Sequence, residues 1–194
     1  MQKFEYGTIV QNEKYHIDIT EDETFIVDSS DDAKYDYVFN PLSKCSENMY
    51  KVLKLSIKGA QNCTIALIGD INTFADNCAI LDENILTVLQ NDYITQIDLD
   101  SMQIVAGYEI DVFGTTFSIY KMSDGYLIYG EIEIIKLDNN FQVLWRFGGR
   151  DIFVSITGKT SFEITSNSIK LYDFYDNFYE IDFDGKLICE ILKE

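Results

Sequence analysis

The sequence predicts an all-β protein built from repeated, antiparallel four-stranded sheets. Short apolar or alternating runs recur along the chain, and tight turns rich in Asp, Asn and Gly separate them. From residue 79 these runs group into three repeats of four, with a period of about 42 residues. The runs leave no room for crossover helices, so the pattern disfavours parallel α/β folds.

Length and composition support a folded chain. The 194 residues suffice for one sizeable domain, and 46% hydrophobic with 14% aromatic residues is far above what a disordered chain contains. We therefore predict a single domain over 1–194. In it, residues 1–78 supply strands that complete or cap the array, and residues 79–192 form the three repeats.

The first 78 residues have the least regular pattern. Residues 46–58 fit either a short helix capped by Ser46 or Glu47, or a strand, and the alternation of KVLKLSIK favours the strand. CTIALIGD is apolar on both faces and is predicted to be a central strand. The strands predicted here are 4–10, 15–19, 23–27, part of 46–58 and 63–70, with an acidic loop at 28–36 and a turn at Pro41.

The three repeats share their strand positions. Their second strands are predicted to begin at Ile85, Leu127 and Ile169, which are 42 residues apart. Four strands in 40–45 residues is the pattern of a β-propeller blade. A β-sandwich also has short strands and frequent turns and is the alternative, but it does not require this period. The third strands contain IDLD (97–100), IKLD (135–138) and IDFD (181–184), and two-residue hairpin turns are predicted at 124–125, 139–140, 176–177 and 184–185.

The segment DNNFQVLWRFGG joins an Asp-ended third strand, a tight turn and a fourth strand that carries Trp145. In this arrangement, residues 79–192 resemble the blades of β-propeller-like repeat proteins, most closely the quinoprotein type. The resemblance implies an array of about four sheets, as a closed or an open ring, and implies no activity. The first and third repeats lack a tryptophan at the position of Trp145. No cofactor motif of the family is present, and we expect no cofactor.

The charge balance restricts the possible partners. Asp and Glu number 33 against 15 Lys and Arg, a formal net charge of −18. Nucleic acids and anionic membranes attract basic surfaces, so this charge disfavours both and favours a basic protein partner. The N-terminus has no signal-peptide pattern and no run of eighteen apolar residues follows. The cysteines, which show no CxxC spacing, are expected to be reduced thiols of a cytoplasmic protein; they are Cys45, Cys63, Cys78 and Cys189.

Catalytic patterns are weak. His16 is the only histidine, and no nucleophile motif surrounds it. Gly148 and Gly149 read as a bulge or turn, or, flanked by the only two arginines, as an anion or partner contact. Carboxylate pairs two residues apart share a strand face, which could serve a glycosidase or a Ca²⁺ site, but solvated turn positions explain them more simply. These pairs are Asp98/Asp100 and Asp182/Asp184, and we expect no catalytic residue and no metal site.

Acidic stretches are the strongest functional signal. Residues 59–120 contain nine acids and no Lys, Arg or His, and residues 171–185 contain five acids, no base and six aromatics. Carboxylates steer a basic partner and aromatic side chains supply contact area. The alternative is an acidic surface that only maintains solubility. The predicted partner-binding residues are Asp98, Asp100, Asp173, Tyr175, Asp176, Tyr179, Glu180, Asp182 and Asp184.

These observations favour a non-enzymatic module that masks a basic protein. One concrete form is a bacterial immunity protein that plugs the basic cleft of a nuclease-type toxin. A scaffold subunit of a larger assembly is the alternative, and a carboxylate-dependent glycan hydrolase is the enzymatic one. The oligomeric state, the partner and the number of blades stay open.

Overall fold

A computed structural model describes residues 7–26, 34–43, 51–70, 77–155, 158 and 160–193. Within these ranges the protein has seventeen strands in four sheets and no α-helix, which confirms the all-β prediction. No helix of the described part is long and apolar enough to cross a membrane. The chain divides into two compact units, an N-terminal unit of residues 1–111 and a C-terminal unit of residues 112–194. The prediction of a single domain stays a prediction.

The first sheet of the N-terminal unit is not a simple meander. Its strand order is β1-β2-β4-β5-β3, and β3 runs parallel to β5 while the other pairs are antiparallel. The apolar strand β5 lies between two partners, as its sequence predicts. The strands are β1 Gly7–Gln11, β2 His16–Glu21, β3 Tyr37–Phe39, β4 Lys51–Lys58 and β5 Cys63–Gly69.

The second sheet of this unit is the first of the predicted repeats. It is an antiparallel meander, and its inner side chains share one hydrophobic core with those of the first sheet. Leu55 and Ile65 of the first sheet and Leu86 and Ile97 of the second are fully buried in that core. The strands are β6 Ala79–Asp82, β7 Ile85–Gln90, β8 Tyr93–Asp98 and β9 Gln103–Glu109.

The C-terminal unit consists of the second and third repeats. Both are four-stranded antiparallel meanders, and one core that includes Leu127, Phe153, Leu171 and Ile181 belongs to the two sheets together. The strands of the second repeat are β10 Thr116–Met122, β11 Gly125–Gly130, β12 Glu133–Leu137 and β13 Val143–Gly148. Those of the third are β14 Phe162–Ile164, β15 Ile169–Tyr172, β16 Phe178–Ile181 and β17 Leu187–Ile191.

The repeat spacing is 40 and then 44 residues, not 42 twice. The second strands begin at residues 85, 125 and 169, and the fourth strands begin at 103, 143 and 187. The aspartates that accept hydrogen bonds in the turn after each third strand follow the same spacing, at Asp98, Asp138 and Asp182. The equivalent of Asp138 is thus the second letter of IDLD and IDFD, and the predicted alignment of these motifs is wrong by two residues.

Three turns have one common structure. In each, an Asp carboxylate accepts the backbone N–H groups two and four residues later, and the residue three positions later has a positive φ. These five-residue turns begin at Asp138, Asp173 and Asp182, and they replace the two-residue turns predicted at 139–140, 176–177 and 184–185. The positive φ falls on Phe141 rather than on an Asn of the first turn.

Another difference lies at 23–27, which the alternating pattern predicts as a strand. Residues 22–26 are not in a strand, and residue 27 lies outside the described residues. Asp22 accepts hydrogen bonds from the backbone N–H and the hydroxyl of Thr24, at 2.9 and 2.7 Å. Such a local side-chain turn ends β2. Phe25 is still buried, against Val52 and Ile68 on the outer face of the first sheet, so its apolar character reflects packing and not a strand.

Candidate functional site

Negative charge is distributed unevenly between the two units. Residues 1–111 contain seven lysines, no arginine and twenty acidic residues, a net charge of −13. Residues 112–194 contain eight basic and thirteen acidic residues, a net charge of −5. Most of the excess charge therefore belongs to the N-terminal unit.

Three turns of the N-terminal unit meet at one end of its two sheets. They are the β1–β2 turn at 12–15, the β6–β7 turn at 83–84 and the β8–β9 turn at 98–102, and we call them the turn platform. The Asn12 side-chain amide donates to the Glu83 carbonyl at 2.7 Å and joins the first two turns. An open depression of about 500 Å³ lies among them. Its lining residues are Asn12, Glu13, Lys14, Glu83, Asn84 and Asp100.

Asp100 connects the β8–β9 turn to the β1–β2 turn. Its carboxylate accepts hydrogen bonds from the Lys14 ammonium and from the Tyr15 hydroxyl. These two bonds, that of Lys14 first, hold the pKa of Asp100 below its ordinary value. Tyr15 is buried, and this burial, followed by the bond to Asp100, raises the pKa of its phenol. Asp100 is thus an exposed carboxylate that is already paired.

Asp98 shapes the same turn. It accepts the N–H groups of Asp100 and Ser101 at 2.8 and 3.2 Å, and the Asn84 amide at 3.0 Å. The backbone bonds, that from Ser101 first, lower its pKa. Both Asp98 and Asp100 therefore lie on the turn platform. The other residues of this surface are not among the predicted partner-binding residues.

Glu13 and Glu83 are the acids of the turn platform that are not among the predicted partner-binding residues. Both are exposed, and neither carboxylate makes a side-chain hydrogen bond or an ion pair within the described part of the chain. The available signal was their position in polar turns, QNEK and DEN, next to a strand. No local sequence pattern in these two segments shows that the two turns lie side by side.

The pairing of Asp100 predicts a pH-dependent contribution to stability. Its folded-state pKa lies below the ordinary value of 3.8, so the stabilisation is complete above that value and is lost as the pH falls through the folded pKa. Asp100→Asn should be less stable than the wild type at about pH 7, and this difference should shrink as the pH falls below 3.8. Urea denaturation of both proteins across that range measures it. A difference that stays constant with pH would contradict the assignment.

The third repeat does not present its acids as predicted. Asp173 is 0% exposed and Tyr179 is 2% exposed, so neither can contact a partner of the folded protein. The Tyr179 hydroxyl donates to Asp173 at 2.8 Å and accepts the Arg150 N–H at 3.0 Å. The prediction of these two as partner-binding residues is wrong. The reason is that the Asp173 turn packs against the segment around Arg150, which is distant in sequence.

The other predicted acids of this repeat have partners inside the protein. Glu180 accepts the Ser168 hydroxyl at 2.6 Å, and Asp182 accepts two backbone N–H groups of its turn. Asp176 pairs with Lys193, and Asp184 pairs with Lys186 at 3.4 Å. Tyr175 is exposed. Only Tyr175 and Asp184 thus present a largely open side chain.

The remaining candidates have structural partners. Nδ1 of His16 lies 2.8 Å from the Gln11 side-chain oxygen, and its Nε2 lies 3.2 Å from Asp18. Arg146 pairs with Glu133 at 2.6 Å, and Arg150 with Glu190 at 3.2 Å. Cys63 and Cys78 are buried free thiols, Cys189 is a half-exposed one, and Cys45 lies outside the described residues. Within those residues, no group of three metal-binding side chains is close enough to hold an ion.

Comparisons with known proteins inform the fold. No protein-family model matches the chain, and no curated protein matches it in sequence. The crystal structure of the computationally designed Ika8 protein is similar over 95% of this chain and 60% of its own, with a TM-score of 0.52 and 9% identity.

Two further solved structures are more distant. BamB from Moraxella catarrhalis is similar over 89% of this chain and 51% of its own, with a TM-score of 0.45 and 11% identity. Kluyvelomyces marxianus Hsv2 is similar over 71% and 43%, with a TM-score of 0.42 and 9% identity. Hsv2 and BamB are β-propellers, the latter of the quinoprotein type. The repeated four-stranded antiparallel sheets of this chain show the predicted fold-level resemblance to propellers. The chain spans 43 to 60% of the length of these three structures, and identities this low show the fold alone.

Proposed function

We propose that this protein is a non-enzymatic acidic module that masks a basic protein partner. A bacterial immunity protein that neutralises a nuclease-type toxin is the concrete form we put forward. One observation carries the proposal: the N-terminal unit has a net charge of −13, and residues 59–111 contain no basic residue. An uncompensated field of this sign attracts Lys- and Arg-rich surfaces and disfavours nucleic acids and anionic membranes.

The turn platform is the contact surface we assign to the N-terminal unit. Glu13 and Glu83 stand at its exposed rim, while Lys14 is bound to Asp100 and does not neutralise either one. Hydrogen bonds between the three turns already fix their backbone, so the turns lose little conformational entropy when a partner binds. The depression accommodates long basic side chains of a partner. A cleft that binds nucleic-acid phosphates is rich in such side chains, and covering it would block the toxin.

We assign the complex to the cytoplasm as part of this proposal. The three described cysteines are free thiols, which agrees with a reducing compartment. A masking protein also needs no cofactor and no catalytic group. Among the described residues, every carboxyl group with a shifted pKa has that pKa lowered, whereas a general acid of a glycan hydrolase needs a raised pKa. Those groups are Asp18, Asp22, Asp36, Asp98, Asp100 and Asp124.

The test is charge reversal on the turn platform. The double variant Glu13→Lys/Glu83→Lys should weaken binding to an immobilised basic nuclease domain by about tenfold or more, because four units of favourable charge are lost. Wild-type binding should also fall steeply between about 0.05 and 0.5 M salt. Surface plasmon resonance at several salt concentrations measures both effects.

Glu163→Lys is the control for this experiment and is compared with the single variants Glu13→Lys and Glu83→Lys, each of which changes the net charge by the same two units. Glu163 is exposed on β14 of the C-terminal unit, so its reversal changes net charge without touching the turn platform. It should change affinity by less than about twofold. Equal weakening by the control, or tight binding that is indifferent to salt, would reject the assigned surface. Failure of every basic probe to bind at low salt would reject the function.

A scaffold subunit of a larger assembly is the second candidate. The observation in its favour is an exposed apolar strand, β17, at the edge of the third repeat. A scaffold contact made there would be apolar and would not weaken with salt.

A further inference from the structure

The second half of β9 is an open strand edge beside the turn platform. In the described part of the chain β9 pairs with β8 alone. A register shift between Gln96 and Ile97 leaves Val105 of β9 without a partner, but residues 106–109 pair with residues 93–96 without interruption. A bulge hinders the pairing of a further strand only where it lies. The regular half of the edge therefore stays open to another strand.

The hydrogen-bond ladder shows which backbone groups of this edge point outward. The Ile110 N–H donates to the Asp92 carbonyl at 2.7 Å, so these two residues form a hydrogen-bonded pair. Hydrogen-bonded and non-hydrogen-bonded pairs alternate along antiparallel strands, so Glu109 and Gly107 direct their N–H and C=O groups away from β8. Both residues are exposed, and neither has a hydrogen bond outside this ladder in the described ranges. Four backbone groups are thus available to an added strand.

The side chains beside these groups suit a basic residue. Tyr93 is the cross-strand partner of Glu109, so their side chains lie on one face of the sheet. The Tyr93 ring extends across Gly107, where a Cβ would collide with it. A Lys or Arg opposite Gly107 on an added strand would lie against this ring, with the Glu109 carboxylate as its diagonal neighbour. Glu109 and the exposed Asp92 have no ion pair within the described residues.

Charge distinguishes this edge from those of the other two repeats. β13 contains Arg146, and β17 is flanked by Lys186 and Lys193. The single charged residue of β9 is Glu109, and residues 59–111 contain no base. A second copy of this chain would bring the same carboxylate to the edge and be repelled, whereas a strand with Lys or Arg is attracted. The charge complementarity therefore selects a basic occupant.

We propose that β9 accepts an extended, Lys- or Arg-containing strand of the basic partner by strand addition. The inference rests on the proposed function and specifies how the partner is held. Carboxylates of the turn platform attract the partner, and the backbone of Gly107 and Glu109 pairs with its strand. The two surfaces are continuous, because β9 begins directly after the β8–β9 turn. Gly107 lies only about 13 Å along the strand from its first residue.

Glu109→Pro tests the backbone pairing. It removes one outward N–H, and proline is tolerated at such an edge position, so the circular dichroism spectrum should not change. In surface plasmon resonance, the affinity for the immobilised basic nuclease domain should fall at least about tenfold. Glu109→Gln removes the charge but keeps the N–H, and it should weaken binding only about threefold. The difference between the two variants measures the backbone contribution.

Ile9→Pro is the matched control for the proline variant. The Asn12 N–H donates to the Tyr15 carbonyl, so the same alternation directs the Ile9 N–H outward at the β1 edge of the same unit. This control should change the affinity by less than about twofold. Weakening by Ile9→Pro equal to that by Glu109→Pro, or equal weakening by Glu109→Pro and Glu109→Gln, would overturn strand addition at β9.

Amide hydrogen exchange of the wild-type chain, followed by NMR, needs no variant. Saturation with a peptide of about eight alternating Lys and Val residues should slow exchange at Gly107 and Glu109 at least about tenfold and leave the Ile9 amide unchanged. Unchanged Gly107 and Glu109 amides, or equal binding of a Thr-Val peptide of the same length, would overturn the proposal. So would protection in the free chain that rises with its concentration, because that result assigns the edge to a second copy.

These outcomes are separable from failure of the proposed function. If strand addition fails while Glu13→Lys/Glu83→Lys still weakens binding of the nuclease domain, the masking function stands and only the β9 contact is rejected. If neither the nuclease domain nor the Lys-Val peptide binds at low salt, both are rejected.

Discussion

Asp173→Ala is expected to lower the free energy of unfolding by about 3 kcal/mol. The carboxylate is completely buried and accepts four hydrogen bonds, from the N–H groups of Tyr175 and Asn177, the Asn177 amide and the Tyr179 hydroxyl. Removing it leaves these donors inside the protein with no acceptor. An unsatisfied buried donor costs far more than the net gain from a satisfied one. Urea denaturation followed by tryptophan fluorescence measures the change through the single Trp145.

Asp182→Ala is the matched control for Asp173→Ala. Asp182 begins a turn with the same backbone hydrogen bonds, but that turn is partly open to solvent. Water can replace the lost acceptor there, so the expected cost is only about 1 kcal/mol. Equal losses in the two variants would show that the turn itself, and not its burial, determines the energy.

Gly125→Ala should cost more than about 3 kcal/mol. Gly125 opens β11 with a φ of +149°, a conformation that L side chains rarely adopt. An added Cβ would also collide with the backbone carbonyl of Leu137, at the end of β12, and with the backbone of Asp138, which follows it. Backbone atoms within a paired ladder cannot move aside cheaply, so the β11–β12 pairing itself must distort. The fall in Tm and in the midpoint of urea denaturation measures the loss.

Gly158→Ala separates the two causes. Gly158 has a φ of +74°, but no atom of the described residues lies within 4 Å of its hypothetical Cβ. Only the backbone conformation is penalised there, at about 1 kcal/mol. If Gly125→Ala were no more damaging than Gly158→Ala, the close approach of β11 and β12 would not be the source of its cost.

In the third repeat, the turns can be predicted from the sequence but their burial cannot. The Asp173 and Asp182 turns are recognisable locally, because a carboxylate can accept N–H groups two and four residues later. Their burial is not local. Asp173 is enclosed because Tyr179 and the N–H of Arg150 lie against it. The composition of residues 171–185, rich in acids and aromatics, therefore predicts a binding surface, although part of this stretch forms an internal hydrogen-bond network.

The turn platform also combines residues whose proximity cannot be predicted from the local sequence. Asp98 and Asp100 are predictable from the sequence because they belong to an acidic stretch without basic residues. Glu13 lies more than eighty residues away from them, and its proximity results from the packing of the first sheet on the second. The first sheet itself has the strand order β1-β2-β4-β5-β3. No residue pattern specifies a parallel β3–β5 pair, because strand alternation records burial and not the identity of the neighbour.

The sequence by itself determined the all-β class, the positions of most strands, the repeat of four strands and the excess of negative charge. Each follows from short-range rules: alternation of apolar residues, turn chemistry and simple counting. Only the tertiary structure decided which carboxylates remain at the surface and that the apolar strand LICEI lies at an edge. A strand with that composition would be expected in a core. The physical reason is that burial and pairing depend on the surface of neighbours far away in the chain, which local preferences do not encode.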